Sequence, residues 1–288
     1  MRDVPVLVPE TLDEACATLD AHPDATLMAG GTDLMVGINA GRVRPGHVIA
    51  IGRLSASPWF NVSERHVTFG AGMPYSAMTK GHLAELVPIL AQAARTVGSP
   101  QIRNAGTLGG NLGTASPAGD GVAALVALDA EVGLRSVDGE RTVNVSDFVV
   151  GPRQTQRRPN EIITSISVPI PRGPQEFLKV GTRNAMVIAV ASAALVVDPA
   201  DHVVRLALGS VGPKVLRCPE AEEFAAAHVD WSSLRSDAGS AAEFGRLAAT
   251  AARPIDDHRS TAAYRRHAVE VIARRAFERA FPADRGAA

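Results

Sequence analysis

A stretch unusually dense in glycine, residues 97–121, constrains the fold of this chain more than any other feature. It reads VGSPQIRNAGTLGGNLGTASPAGDG and contains seven glycines. Each glycine loses more conformational freedom on folding than another residue would. A loop that only connects two elements would therefore not need so many glycines. A loop of this length inside a compact domain is either functional or disordered, and the apolar residues Ile102 and Leu108 argue against disorder. We therefore interpret the stretch as a structured backbone loop that cradles a ligand.

A second glycine turn lies earlier in the chain, at residues 29–33, which read AGGTD. A strand pattern precedes it, and the residues after it predict a helix with Thr32 as the N-cap. Glycine lets the backbone pass close to a ligand, and the start of a helix offers unpaired N–H groups. A diphosphate suits such a site, although Gly-Gly turns without any ligand are common.

Several known motifs are missing from the chain. No Gly-x-x-x-x-Gly-Lys-Ser/Thr occurs, so a P-loop is excluded. Gly70-Ala71-Gly72 lacks the third glycine of a Rossmann fingerprint and is followed by Pro74. No Gly-x-Ser-x-Gly or His-Glu-x-x-His occurs either. The sequence therefore favours neither a hydrolase nor a metal enzyme, and it predicts no catalytic residue and no metal site.

Charge and cysteine content narrow the partners and the location. The net charge is −1, from 29 basic and 30 acidic residues, which disfavours nucleic acid as a partner. The two cysteines, Cys16 and Cys218, have no ligand neighbours at metal-site spacing, so a disulfide framework, a zinc site and an iron–sulfur cluster are not expected. The N-terminus turns polar too soon for a signal peptide, and no run of about 18 apolar residues predicts a transmembrane segment. We expect a cytoplasmic protein.

Hydrophobic patterns divide the chain into three lobes of mixed helix and strand, an α+β class. The first lobe reads β-α-β-α-β, with a capping box from Thr11 to Glu14 at its first helix. The second lobe has a helix at residues 83–97 and a helical or buried segment at 122–128. The third begins with strands and ends in helices, the clearest at residues 260–281. The predicted strands are residues 4–8, 26–29, 48–51, 65–69, 131–135, 162–168, 177–181, 188–197 and 203–208.

The two glycine blocks together resemble the FAD-binding (medium) subunit of the molybdenum hydroxylase family, of the xanthine dehydrogenase and aerobic carbon monoxide dehydrogenase type. The first block, residues 27–33, reads LMAGGTD. The second, residues 101–120, matches the family pattern Gln-Ile-Arg-Asn-x-Gly-Thr-Leu/Ile-Gly-Gly-Asn, followed by Ala-Ser-Pro and Asp, almost position for position. Residues 177–189 and 257–266 resemble the start and the last helix of the family's C-terminal lobe.

The resemblance implies a two-lobed PCMH-type FAD-binding domain at residues 1–172, with lobes 1–58 and 59–172. A C-terminal α+β lobe at residues 173–288 would follow, with a three-stranded antiparallel sheet and helices. Residues 29–33 would wrap the diphosphate and ribityl region of FAD, and residues 107–111 with Thr114 and Asp120 would face the ribityl chain and the flavin ring. The implied cofactor-binding residues are Leu27, Met28, Ala29, Gly30, Gly31, Thr32, Asp33, Leu34, Val97, Thr107, Leu108, Gly109, Gly110, Asn111, Thr114, Asp120, Ile163 and Lys179.

Two of these residues have alternative interpretations. The resemblance makes Lys179 a flavin contact, and a cation there would stabilise the anionic reduced ring. An equally good interpretation of Lys179 is a solvated lysine at the end of a strand. Asp120 could hydrogen-bond to the flavin, cap the following helix, or do both. Thr32-Asp33, in place of the His-Ser of carbon monoxide dehydrogenases, favours the xanthine or aldehyde dehydrogenase side of the family.

The function implied is that of an FAD-binding electron-transfer subunit of a molybdopterin-dependent dehydrogenase. Its partners would be a molybdopterin-binding large subunit and an iron–sulfur small subunit in a heterotrimer. Electrons would pass from the iron–sulfur clusters through FAD to NAD+, oxygen or a quinone. The alternatives are a self-sufficient FAD-dependent oxidoreductase of the same superfamily and an adapter that has lost the flavin.

Overall fold

The computed structural model describes residues 4–55 and 59–283. The first lobe holds β1 (Val6–Leu7), α1 (Leu12–Ala21), β2 (Thr26–Met28), α2 (Leu34–Asn39) and β3 (Val48–Ala50), followed by a 3-10 turn at Gly52–Ser55. Its three strands are parallel and ordered β1-β3-β2, which confirms the predicted β-α-β-α-β order. The outer ends of the predicted lobes at residues 1–3, 56–58 and 284–288 lie outside the described residues.

The two helices of this lobe begin differently from one another. The hydroxyl of Thr11 accepts from the N–H of Glu14, as the capping box predicts, at 3.1 Å. The prediction that Thr32 is the N-cap of α2 is wrong, because Asp33 occupies that position. Neither of the two side chains caps the helix. The hydroxyl of Thr32 instead lies against Gly106 of the second glycine block, so tertiary contact takes the place of the local cap.

The second lobe is an antiparallel sheet packed against helices. Its elements are β4 (Phe60–Val62), β5 (His66–Gly70), α3 (Tyr75–Met78), α4 (His82–Leu86), α5 (Pro88–Thr96), α6 (Pro100–Ala105), α7 (Leu108–Thr114), α8 (Asp120–Ala127), β6 (Glu131–Ser136), β7 (Gly139–Asn144), α9 (Val145–Phe148), β8 (Val149–Gly151), β9 (Gln154–Thr155) and β10 (Ile162–Pro169). The sheet order is β4-β5-β10-β6-β7, and β8 and β9 form a separate hairpin.

Two predictions for this lobe need correction. The helix expected over residues 83–97 is broken at Val87, because Pro88 lacks an N–H and restricts the residue before it. The glycine-dense stretch is not an extended loop but contains α6, α7 and the start of α8. Ser99 caps α6 and Thr107 caps α7 through their hydroxyls, so the stretch folds as short helices joined at polar caps.

The third lobe contains β11 (Gln175–Val180), β12 (Ala191–Asp198), β13 (Val203–Gly209), β14 (Leu216–Arg217), α10 (Pro219–His228), β15 (Val229–Asp230), β16 (Arg235–Ser236), α11 (Ser240–Ala251) and α12 (Ala262–Ala280). The antiparallel sheet has the order β11-β12-β13-β14. It therefore has a short fourth strand in addition to the three that were predicted. The α+β class is confirmed. Among the described residues, no helix is both long and apolar enough to cross a bilayer.

The sheet of the third lobe is buried on both faces. Ala194 and Val196 of β12 face the hydrophobic core of the second lobe, which α5 and α8 also build. The alternate residues Ala193 and Leu195 face the core under α11 and α12. Because neighbouring residues of a strand point to opposite faces, one strand contributes to two cores. The division at residue 172 stays a prediction, and the packing continues across it.

Candidate functional site

Two adjoining cavities lie where the first and second lobes meet. Their volumes are about 400 Å³ and about 340 Å³. They have in common parts of both glycine blocks, including Ala29, Asp33, Gly110 and Thr114. The two cavities therefore form one elongated cleft between the blocks that the sequence singled out.

Backbone contact between the two glycine blocks explains why glycine occupies the first of them. A Cβ atom at Gly30 would lie 1.7 Å from the carbonyl oxygen of Ala105 and 3.1 Å from the Cα of Gly106. A Cβ atom at Gly109 would lie 2.6 Å from the carbonyl oxygen of Ala71. Side chains at these positions would push the walls of the cleft apart, so the cleft depends on glycine at both.

Nearly all the predicted cofactor-binding residues line this cleft. The exception is Leu108, whose side chain is fully buried in the core of the second lobe. Its N–H donates to the Met73 carbonyl at 3.4 Å. The predicted residues on the cleft wall are Leu27, Met28, Ala29, Gly30, Gly31, Thr32, Asp33, Leu34, Val97, Thr107, Gly109, Gly110, Asn111, Thr114, Asp120, Ile163 and Lys179.

The backbone N–H groups of the two blocks differ in availability. No backbone carbonyl of the described residues accepts from the N–H groups of residues 31–34, and Gly31 has a φ of 69° that favours glycine. In α7, by contrast, the N–H of Gly109 donates to Ala71 and the N–H of Gly110 donates to the hydroxyl of Thr107. An anion therefore finds unpaired donors at the first block and not at the start of α7.

A buried ion pair stands at the far end of the cleft. The ammonium group of Lys179 donates to Oδ2 of Asp120 at 2.5 Å and to the Thr96 carbonyl at 3.2 Å. The hydroxyl of Thr96 donates to the same Oδ2 at 2.9 Å. The side chains of Lys179 and Asp120 are 9% and 5% exposed. Lys179 is therefore not a solvated lysine, and its charge is balanced within the protein.

Asp120 keeps one unpaired acceptor. Its Oδ1 is buried without a hydrogen-bond partner, as is Oδ1 of Asn111, another residue of the cleft wall. Burial raises the pKa of the Asp120 carboxyl, while Lys179 and the hydroxyl of Thr96 act in the opposite direction. Asp120 is the first residue of α8 and not its cap, since Gly119 holds that position. The two unpaired oxygens suit a ligand that brings N–H or O–H donors.

Sequence reasoning missed the residues that close the other end of the cleft. The cavity of about 400 Å³ is also lined by the apolar Val43 and Ile51 and by the arginines Arg153 and Arg157. These residues come from separate segments with no glycine block or motif. No local pattern could have assigned them, because only the tertiary fold brings them to the cleft.

Comparison with known proteins covers nearly the whole chain. Residues 2–171 match the family described as FAD binding domain in molybdopterin dehydrogenase, and residues 176–280 match CO dehydrogenase flavoprotein C-terminal domain. The chain is 31% identical over 273 residues to the glyceraldehyde dehydrogenase medium chain of Sulfolobus acidocaldarius, with 93% of this chain and 95% of the relative covered. It is 36% identical over 236 residues to the nicotinate dehydrogenase FAD-subunit of Eubacterium barkeri, with 77% and 79% covered.

A solved structure agrees with these matches. A chain of reconstituted CO dehydrogenase from Oligotropha carboxidovorans superposes with a TM-score of 0.87 at 27% identity, over 96% of this chain and 97% of that one. The fold, the glycine blocks and the extent of the matches lead to one assignment. The chain belongs to the family of FAD-binding subunits of molybdopterin-dependent dehydrogenases, which are oxidoreductases, and its cofactor is FAD.

Proposed function

We propose that this chain is the electron-transfer subunit of a molybdopterin-dependent dehydrogenase and that the predicted residues of the cleft hold FAD. The observation that carries the proposal is the close backbone contact of Gly30 with Ala105 and Gly106, which brings the two glycine blocks together along one elongated cleft. FAD, when bound, supplies the redox chemistry by which electrons from iron–sulfur clusters reach NAD+, oxygen or a quinone.

The cleft offers donors and acceptors that fit the parts of FAD. The unpaired N–H groups of residues 31–34 suit its diphosphate. The unpaired oxygens of Asn111 and Asp120 suit the N–H and O–H donors of the flavin ring and the ribityl chain. The apolar Val43 and Ile51 suit the adenine. Leu108 supports this wall from the core, so we do not assign it a side-chain contact.

The chain's own residues would orient FAD and shape its surroundings. Lys179 and Thr96 hold Asp120 with one carboxylate oxygen available. Because Asp120 balances the charge of Lys179, this end of the cleft offers a fixed neutral pair and not an uncompensated cation. The match to relatives named as a medium chain and an FAD-subunit favours an electron-transfer subunit over a self-sufficient flavoenzyme.

The relatives' names support the proposal that this chain has partner subunits. One relative is a medium chain and another an FAD-subunit, so each belongs to a complex of several chains. We propose a molybdopterin-binding large subunit and an iron–sulfur small subunit as the partners here, in a heterotrimer in the cytoplasm. The division into residues 1–172 and 173–288 is part of the same proposal.

The first experiment is an absorption spectrum of the purified chain, followed by acid release and identification of the flavin. We expect flavin bands and about one FAD per chain. Co-expression with molybdenum and iron–sulfur subunits should then yield a complex in which a dehydrogenase substrate bleaches the flavin. A chain that takes up no FAD, alone or with those subunits, would refute the proposal. A chain that oxidises a substrate alone would favour the self-sufficient flavoenzyme.

A further inference from the structure

Arg153 stands at the tip of the hairpin between β8 and β9, in an uncommon backbone conformation. Its φ is 58°, in the left-handed region that residues other than glycine rarely adopt. Its N–H donates to the carbonyl of Ala115 at 3.1 Å, and Ala115, the C-cap of α7, is itself left-handed with a φ of 47°. The hairpin tip is thus anchored to the helix that carries the second glycine block. A tight turn commonly needs a positive φ at one of its central residues, so the hairpin itself accounts for this conformation and fixes where Arg153 stands.

The side chain of Arg153 lines the cavity of about 400 Å³, across from the first glycine block. Its Nη2 lies 3.8 Å from Oδ2 of Asp33, too far for a hydrogen bond, and both side chains are more than half exposed. A pair of this kind holds its partners weakly. The guanidinium group therefore remains available to another anion.

The other cations on the cleft wall are already engaged. Nη1 of Arg157 donates to the backbone carbonyls of Arg158, Pro159 and Glu161. Lys179 is bound to Asp120. Among the described residues that line the cleft, Arg153 is the cation whose side-chain nitrogen atoms have no hydrogen-bonded partner in the protein.

The negative charge of Asp33 explains why a cation is needed at this place in the cleft. Asp33 is itself one of the residues 31–34 whose N–H groups are unpaired, so its negative charge would repel a diphosphate bound there. A guanidinium group offers paired N–H donors that match phosphate oxygens, and its charge offsets that of the carboxylate. We propose that Arg153 binds the diphosphate of FAD and neutralises Asp33 at that site. This inference rests on the proposed function and adds to it a residue outside the two glycine blocks.

The test compares Arg153→Gln with Arg158→Gln in the full chain after removal of flavin. Arg158 is a matched control, because it lies near the same hairpin with the same side-chain exposure of 69% and does not line the cleft. Quenching of flavin fluorescence gives the Kd of FAD and of riboflavin, which has no phosphate. Competition by ADP measures binding of the half of FAD that carries the diphosphate and the adenosine.

We expect Arg153→Gln to weaken FAD and ADP binding about tenfold, as loss of hydrogen bonds to a charged group does, and to leave riboflavin unchanged. Arg158→Gln should keep the wild-type affinity for FAD, although it removes the 3.9 Å ion pair of Arg158 with Glu161. Adding Asp33→Asn to Arg153→Gln should restore part of the FAD affinity.

Any one of three results would overturn the role of Arg153 and leave the proposed function of the chain standing. These are an unchanged FAD affinity in Arg153→Gln, an equal loss for riboflavin, and an equal loss in Arg158→Gln. A wild-type chain that takes up no FAD, even with its partner subunits, would overturn the proposed function and this role together.

Discussion

Replacing Gly30 by alanine tests the contact on which the cleft depends. The new Cβ would lie 1.7 Å from the carbonyl oxygen of Ala105, 2.5 Å from its carbonyl carbon and 3.1 Å from the Cα of Gly106. Non-bonded carbon and oxygen atoms need a separation of roughly 3 Å or more, so the two glycine blocks must move apart by more than about 1 Å. The opposing atoms belong to the backbone, and no change of side-chain rotamer can relieve the overlap.

The expected magnitude follows from this overlap. Inserting a methyl group into a well-packed region costs about 1–3 kcal/mol, and the backbone contact here places Gly30→Ala near the upper end. The lower entropy of the unfolded alanine chain offsets only about 0.4–1 kcal/mol. We therefore expect a Tm lower by several degrees and an FAD affinity at least about tenfold weaker, since the donors of the cleft would be displaced.

Flavin titration and thermal denaturation of the full chain measure both effects. Gly151→Ala is the matched control, because its Cβ would make an ordinary contact of 3.5 Å with Oε1 of Gln154 and its backbone needs no positive φ. That variant should keep the wild-type Tm and FAD affinity. If Gly30→Ala also kept both, the close approach of the two blocks would not be needed for the site and the reasoning would fail.

Three further substitutions test the groups around the cleft. Lys179→Met should destabilise the fold by about 3–5 kcal/mol in urea denaturation, because Asp120 would be left buried without its counter-charge. Adding Asp120→Asn should recover part of that loss, and a double variant no more stable than the single one would contradict the ion-pair argument. Glu161→Gln should destabilise the chain at pH 7, because hydrogen bonds from Arg141 lower the pKa of Glu161 below 4.5 and favour its ionised form in the folded state. This contribution is present above pH 4.5 and is lost as the pH falls through the lowered pKa, so the difference from the wild type should shrink in acid; a difference that grows there would contradict the sign. Thr107→Ala removes the cap of α7 and should cost about 1 kcal/mol of stability, whereas an unchanged Tm would show that the cap is dispensable.

The glycine blocks could be found from the sequence, but the form of the second block could not. Helix α7 contains three glycines among its seven residues, a composition with poor helix propensity. It forms because the carbonyls of Ala71 and Met73 accept hydrogen bonds from its first turn. These acceptors lie on another segment of the lobe. A prediction from local sequence therefore gave a loop where long-range contacts produce a helix.

The contacts at the polar end of the cleft could not be predicted from local sequence either. Lys179 and Asp120 were each recognised, yet each had an ordinary alternative as a solvated lysine or a helix cap. Their pairing depends on bringing β11 beside the start of α8, and sequence spacing alone does not reveal this. Arg153 had no signal at all, because a lone arginine in a hairpin turn is unremarkable until the fold sets it across from Asp33.

The sheet shared by two cores affects how the chain is made. Helices α5 and α8 leave the ribosome before β11, β12 and β13, the strands that cover them. Until those strands are synthesised, the apolar face of the growing chain has nothing to pack against, and we expect it to need protection by chaperones. A fragment that ends before residue 175 should expose this face and bind a hydrophobic dye, whereas a compact, dye-free fragment would contradict this. The second lobe can finish folding only after the third has begun.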